Sequence, residues 1–214
     1  MYRKIIMGVD MKSNNYKRQL LLMLFTWVAV FFNSNVWASQ WKLEFGVGLL
    51  PGISDIVDLH KDNLRQEGNS VSEVGSSLPF GYFIQSHLQF DNGFGVGGGL
   101  GPIMLIVGTS DILFVNLPVE FDVSYAYVPA SGNLSPYARI GLRKNFASGD
   151  YVEASKAGPF GAVGVEFLRK SKVNFAIEVA VDRSKIEFQD LAHNDTKSLA
   201  ISDVMLNFFF VVKF

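Results

Sequence analysis

The chain has 214 residues, of which 49% are hydrophobic and 18% charged, with a formal net charge of −1 and no cysteine. This composition excludes a disulfide framework and a lipid-attachment cysteine, and it offers no basic excess for a nucleic-acid partner. The length fits a single domain once a leader is set aside.

Near the start, Lys12, Lys17 and Arg18 precede an uncharged run over 20–32, and Val36-Trp37-Ala38 follows with compact residues at its first and third positions. That order predicts a secretory signal peptide over 1–38, cut after Ala38, with the domain over 39–214; the run is too short to cross a bilayer as a helix. Residues 1–10 make a poor n-region, which leaves Met1 and Met11 both open as the start. Loss of the leader removes Arg3, Lys4, Lys12, Lys17, Arg18 and Asp10, taking the net charge from −1 to −5. No later stretch is long and apolar enough for a membrane helix.

From there the sequence alternates. The first predicted strand, 41–49, sets Trp41, Leu43, Phe45, Val47 and Leu49 against Lys42, Glu44, Gly46 and Gly48. Pro51-Gly52 ends it, and 51–77 is a long polar segment in which Ile53, Ile56, Val57 and Leu64 either line a short helix or belong to a loop. The second strand, 80–90, puts Gln85, His87 and Gln89 opposite Phe80, Tyr82, Ile84, Leu88 and Phe90, and Asp91-Asn92-Gly93 is a tight hairpin turn. The third, 94–106, is dense in glycine. Its start matches the dinucleotide fingerprint G-x-G-x-x-G over 93–98, but no helical period follows. Small residues on a crowded inner wall explain the glycines better.

After a short turn at 108–111, the fourth strand carries an unbroken apolar row from Leu113 through Val115, Leu117, Val119, Phe121, Val123 and Tyr125 to Tyr127. Asn116, Glu120, Asp122 and Ser124 lie between, with Pro118 on the inner row at an expected irregularity. A turn at 128–134 leads to the fifth strand, 137–146, with Ala138, Ile140 and Leu142 outward and Arg139, Gly141 and Arg143 inward. A polar loop at 147–158 precedes the sixth strand, where Gly161, Val163, Val165 and Phe167 alternate with Ala162, Gly164 and Glu166. The seventh sets Val173, Phe175, Ile177, Val179 and Val181 against Asn174, Glu178 and Asp182. A charged loop at 183–197 leads to the last strand, 204–214, apolar at Val204, Leu206, Phe208, Phe210, Val212 and Phe214, with Asn207 and Lys213 on the other face.

Charge shares a face with glycine, the small inner residue, so the greasy face points outward. The pattern predicts an all-β, eight-stranded antiparallel up-and-down transmembrane β-barrel with lipid outside and a polar lumen. Connections after the second, fourth and sixth strands are short and those after the first, fifth and seventh long; only the one after the third breaks the rule. Short turns are therefore expected on the periplasmic side with both termini, and the loops 51–77, 147–158 and 183–197 outside. Trp41, Phe90, Phe94, Tyr125, Tyr127, Phe167 and Phe214 should form one interfacial girdle at the short-turn end.

Antiparallel pairing across 128–134 sets Arg139 beside Asp122 and Arg143 beside Glu120. The same reasoning across 183–197 brings Glu178 next to Asp203, a repelling pair that needs either a cation from across the barrel, with Arg143 nearest in depth, or a raised pKa in one of the two carboxyls. These six residues are expected to close the lumen by ion pairing. An eight-stranded barrel leaves an interior just wide enough for side chains to fill.

With its signal peptide, its eight strands, Leu117-Pro118-Val119, Pro136-Tyr137-Ala138-Arg139-Ile140-Gly141 and terminal Phe214, the chain resembles the small eight-stranded bacterial outer-membrane β-barrels, OmpA-like and OmpX-like. The resemblance implies an integral, porin-like envelope protein of a Gram-negative outer membrane. Its partners would be membrane lipid, the barrel assembly machinery reading Phe214, and an extracellular ligand at the loops. No cofactor and no enzymatic activity are expected. An OmpW-like conduit for small hydrophobic molecules is the alternative; Phe83, Phe114 and Phe160 would line it, although ordinary packing also accounts for them. A lipid-A-modifying enzyme would need a serine activated by histidine. The three histidines are His60, His87 and His193, and the last stands in His193-Asn194-Asp195 with Ser198 well beyond it, where the deacylase pattern has His-x-Ser. His87 is expected instead to join a lumen hydrogen-bond network, and no cluster has metal-ligand spacing.

Overall fold

A computed structural model of the chain describes residues 38–69, 80–107, 112–127, 132–201 and 203–214. The predicted signal peptide lies outside these apart from Ala38, as do 70–77 of the segment 51–77, the turn 108–111 and residues 128–131 of the next turn. In chain order the elements are β1 (Ala38–Leu49), α1 (Ile53–Gln66), β2 (Phe80–Phe90), β3 (Phe94–Val107), β4 (Ile112–Asn116), β5 (Val119–Ala126) and β6 (Leu134–Lys144). There follow β7 (Ala147–Gly149), β8 (Val152–Lys156), β9 (Gly158–Phe167), β10 (Val173–Asp182), β11 (Lys185–Asp190), β12 (Asp195–Leu199) and β13 (Val204–Lys213).

Eight strands close a ring in which every pairing is antiparallel. β1 pairs with β2, β2 with β3, β3 with β5, β5 with β6, β6 with β9, β9 with β10, β10 with β13, and β13 returns to β1 from Lys42↔Lys213 to Leu49↔Leu206. Closure leaves no sheet edge within the ring, and the ladders run unbroken around it apart from bulges between Ala38 and Gln40 and between Tyr82 and Ile84. The alternation read from the sequence becomes the two faces of the wall. On β10 the burial switches at every residue, with Val173, Phe175, Ile177, Val179 and Val181 exposed and Asn174, Glu178 and Asp182 buried. Phe121, on the outer face of β5, is 71% exposed.

Two inner-wall features follow from packing. The hairpin turn needs Gly93 at φ 89°, and a side chain there would meet the Ala126 carbonyl. Gly97 lies under the His87 ring, where a Cβ would sit 1.9 Å from Cδ2, so the glycine run makes room for lumen side chains. The run continues as strand β3, not as a helix. At Leu117-Pro118 the fourth predicted strand divides into β4 and β5, with Pro118 buried, its carbonyl accepting from Gly101 N–H at 3.0 Å.

At the end away from the short turns, where the sequence predicts loops, the wall carries a crown of further strands. Segment 147–158 contains β7 and β8, and 183–197 contains β11 and part of β12; β8, β11 and β12 form a three-stranded sheet. Ile186 and Phe188 alternate with Lys185 and Glu187, so the strand period continues past the apolar band with a charged outer face. Of the two readings left open for 51–77, residues 53–66 take the helix. Ile53, Ile56, Val57, Leu59, His60, Asn63 and Leu64 form its buried face and pack with Phe83, Met104, Phe114, Ile186 and Phe188. Among the described residues no helix is long and apolar enough to cross a membrane, which does not bear on strands.

Candidate functional site

The inner faces of the eight strands bring together a stack of charge. Nearest the crown, Arg143 on β6 donates from Nε (2.9 Å) and Nη2 (2.5 Å) to Glu120 Oε2 on β5, and from Nη1 to Asp182 Oδ2 on β10 at 2.7 Å. Its guanidinium lies 4.7 Å from the centre of the Phe160 ring. One layer down, Arg139 grips Glu178 through a planar fork, Nε to Oε2 at 2.6 Å and Nη2 to Oε1 at 2.7 Å. Its Nη1 also reaches Glu120 at 3.3 Å, Asp122 at 3.7 Å and the Gln85 side-chain oxygen at 3.1 Å. Tyr137 and Asn207 donate to Glu178, at 3.2 and 2.9 Å. Toward the short turns, His87 sits between Asp122 (3.1 Å) and Glu44 (3.4 Å). Lys42 and Lys213 share Glu166 at 2.5 Å each, and Asn174 donates to the same carboxylate.

The register decides which sequence-predicted pairs meet. Arg143 is directly opposite Glu120, and Arg139 is opposite Ser124, one diagonal step from Asp122. Asp203 is a correction. Glu178 pairs with Asn207 and not with Asp203, which is outside the lumen with its side chain 69% exposed, 3.9 Å from Arg183. Asp182 takes the place assigned to it. The cation that neutralises Glu178 is Arg139, with Arg143 committed to Glu120 and Asp182. The cause is the length of the hairpin. β11 and β12 extend it to Asp190↔Asp195, which moves the fold-back point toward the C-terminus and shifts the register of β10 on β13. Gln85, Tyr137, Asn207 and Asp182 also belong to this cluster. Their signal was a polar residue on the inner face of a predicted strand.

A small polar cavity of about 40 Å³, lined among others by Lys42, Glu44, His87, Tyr137, Arg139 and Glu166, is the lumen space on the short-turn side. That volume suits a few waters. Toward the crown the interior becomes apolar at Phe83, Met104, Phe114 and Met205, and α1 lies over it, whereas Phe160 and Phe209 flank Arg139, their ring centres 5.3 and 5.6 Å from its guanidinium. Asn63 fixes the helix to the crown, donating to Gln189 O at 2.7 Å and accepting from Leu191 N–H at 2.9 Å. His60, fully buried, donates from Nδ1 to Ile56 O at 2.8 Å and is ringed by Phe114, Tyr151 and Phe188. Burial holds its imidazole below the ordinary histidine value, against the opposing pull of the Ile56 carbonyl and Asp150. Burial and then the Glu67 carboxylate raise the Tyr151 phenol.

Among the described residues none of the three histidines is hydrogen-bonded to a serine. Ser124 shares a wall with His87, but both nitrogens of that ring face carboxylates. His193 is an exposed side chain on Asp190 at 3.0 Å, and His60 is walled in by aromatic rings. Among the described residues no group of three or more His, Asp or Glu is placed to hold a metal ion. Phe214 is 77% exposed at the short-turn end, its N–H donating to Trp41 O at 2.9 Å. Trp41, Phe94, Tyr125 and Tyr127 are exposed at the same end, with Phe94 and Tyr125 edge to face at 5.1 Å.

No protein-family model matches the chain, and no curated protein matches it in sequence. Solved structures show a likeness in fold. The outer membrane protein OprG from Pseudomonas aeruginosa is 14% identical, over 83% of this chain and 96% of that one, with a TM-score of 0.48. Neisserial surface protein A (NspA) is 15% identical, over 81% and 97%, with a TM-score of 0.42. The eight-stranded closed barrel itself rests on the strand pairing of this chain.

Proposed function

We propose that the chain is an integral β-barrel of the outer membrane of a Gram-negative bacterium, non-enzymatic, with a sealed lumen and a crown that faces the outside. The observation that carries this reading is the sorting of charge. Among the described residues, the outward positions of the ring are uncharged from one end to the crown edge at Lys144, while Arg139, Arg143, Glu120, Asp122, Glu178 and Asp182 are buried inside. No soluble barrel gains by that inversion; a lipid-facing wall requires it. The outward row of β10, Val173 to Val181, rises about 20 Å along the barrel axis at ~3.3 Å per residue and ~40° tilt, close to the apolar band of such barrels. The girdle beside Phe214 supports an interface at the short-turn end, and the terminal aromatic is the feature the assembly machinery would read.

Seen from outside, α1 and the three-stranded sheet cover the mouth, and the ion pairs fill the middle. A closed barrel with a structured crown serves surface interaction or envelope integrity better than permeation. Its orientation is testable with Asn69→Cys and Asn194→Cys, which should react with an impermeant maleimide on intact cells, whereas Lys170→Cys should react only after the membrane is opened. The reverse pattern would invert the topology, and recovery of the protein in the soluble fraction would overturn the membrane assignment.

One observation favours a second reading, a conduit for small apolar molecules. Where β1 and β13 part, a surface groove lined by Leu49, Pro51, Val179, Val204 and Leu206 reaches the buried Leu50 and Met205. Passage there would require α1 to move. Uptake of a small apolar solute into vesicles containing the protein, blocked by a cysteine crosslink from α1 to β11, would favour it over the sealed barrel.

A further inference from the structure

The outer wall changes character abruptly at the crown edge of the apolar band. Over three neighbouring strands the first charges met are all basic: Lys144 closing β6, Lys156 closing β8, Arg183 after β10, and Lys185 opening β11. They are contiguous. Arg183 N–H donates to Pro159 O at 3.0 Å, Lys144 Nζ donates to Ser155 O, and Lys185 lies directly opposite Lys156 in the β8–β11 ladder. The side chains of Lys156 and Arg183 are largely exposed. Like charges directly opposite on one face of a sheet are destabilising unless something neutralises them. Glu187 pairs with Lys156, and Asp203 stands 3.9 Å from Arg183, so two carboxylates face four cations. Exposed Leu142 and Phe146 flank Lys144 on the wall, and exposed Val181 lies just below Arg183.

We propose that this patch is a binding site for the phosphate groups of a phosphorylated, multiply acylated lipid in the leaflet at the crown end. The proposal rests on the outer-membrane reading above. An ammonium group is a compact point charge for phosphate, and a guanidinium can take it through two parallel hydrogen bonds. Apolar side chains immediately below would receive the acyl chains of the same molecule, so one amphiphile matches both halves of the surface. Basic residues just beyond an apolar band act within the headgroup layer, where the field of anionic lipid is strongest. The opposite end also carries Arg169, Lys170 and Lys172, but on a turn, with Arg169 donating inward to Ser135 Oγ and Tyr127 O.

The test uses the whole folded chain in neutral maltoside micelles, titrated with bisphosphorylated lipid A, the same lipid dephosphorylated, phosphatidylglycerol and inorganic phosphate. Wild type should bind the bisphosphorylated form at least tenfold more tightly than the dephosphorylated form. K156A/K185A should lose that preference, and K170A/K172A, the same charge change at the other end, should keep it. Equal binding of the two lipid A forms, equal loss in both double variants, a match by phosphatidylglycerol, or displacement by millimolar inorganic phosphate would each overturn the lipid site. Heat-modifiable mobility of each protein separates the two levels. A chain that never folds in lipid sinks the membrane reading as well, whereas a folded barrel that does not discriminate sinks only the lipid site.

Discussion

Replacing Arg143 by alanine removes the one group that holds Glu120 and Asp182 together across the barrel. The guanidinium is fully buried and makes three charge-assisted hydrogen bonds of 2.5 to 2.9 Å. Glu120 would retain Gln85 and the longer contact to Arg139, but Asp182 would be left with Ser184, which donates from N–H at 2.8 Å and from Oγ at 2.9 Å. Breaking a buried pair by deleting one partner costs about 3–5 kcal/mol, because the other charge stays buried. With a urea dependence of ~2 kcal/mol per molar, the unfolding midpoint in lipid vesicles should fall by about 2 M. Arg143→Lys keeps the charge but loses the fork, so it should fall between alanine and wild type. The triple variant Arg143→Met, Glu120→Gln, Asp182→Asn should recover much of the loss, since it leaves no ion unpaired. An alanine variant that unfolds at the wild-type midpoint would refute the reasoning, and so would a triple variant no better than the single one.

Other outcomes follow from the same structure. Phe214→Ala should lower the yield of heat-modifiable barrel in the outer membrane; assembly at the wild-type level would remove that residue from the account. Gly97→Ala puts a Cβ into the His87 ring and should cost about 1–3 kcal/mol by overpacking, whereas Gly161→Ala, whose Cβ would find only Arg139 O at 3.8 Å, should be close to neutral on the same urea curves. The cap should weaken in acid. Because burial lowers the His60 pKa, the undocked helix takes up the proton first, so stability is complete above the ordinary histidine value of ~6.5 and is lost as pH falls through the docked-state pKa. Amide protection factors across α1 should drop over that range in wild type and stay flat in His60→Phe; the same acid response in both would contradict it.

The wall was legible because its signal is local. A strand with lipid on one side and lumen on the other must alternate, and the facing of Arg139, Arg143, Glu120, Asp122 and Glu178 follows from parity alone. Asp203 shows where parity stops being enough. Its partner depends on where the hairpin folds back, and the continuation of strand pairing through Lys185–Asp190 and Asp195–Leu199 moved that point. The alternation of Ile186 and Phe188 with Lys185 and Glu187 held the information, but high charge content made it read as loop. The cap was half legible. The spacing of Ile53, Ile56, Val57 and Leu64 allowed a helix, while the site it covers exists only once Phe114 and Phe188 arrive from two strands and Tyr151 from the turn between β7 and β8. Sequence separation of that order leaves no local trace.

The central claim is that this barrel is closed. Purified wild-type protein, folded and inserted in a planar bilayer at fixed voltage and moderate salt, tests it most directly. The ion-paired lumen beneath α1 predicts a baseline without steady steps, and leak events should appear only when Arg143 is replaced by alanine. A large, steady wild-type conductance would show an aqueous channel and contradict the proposed sealed lumen.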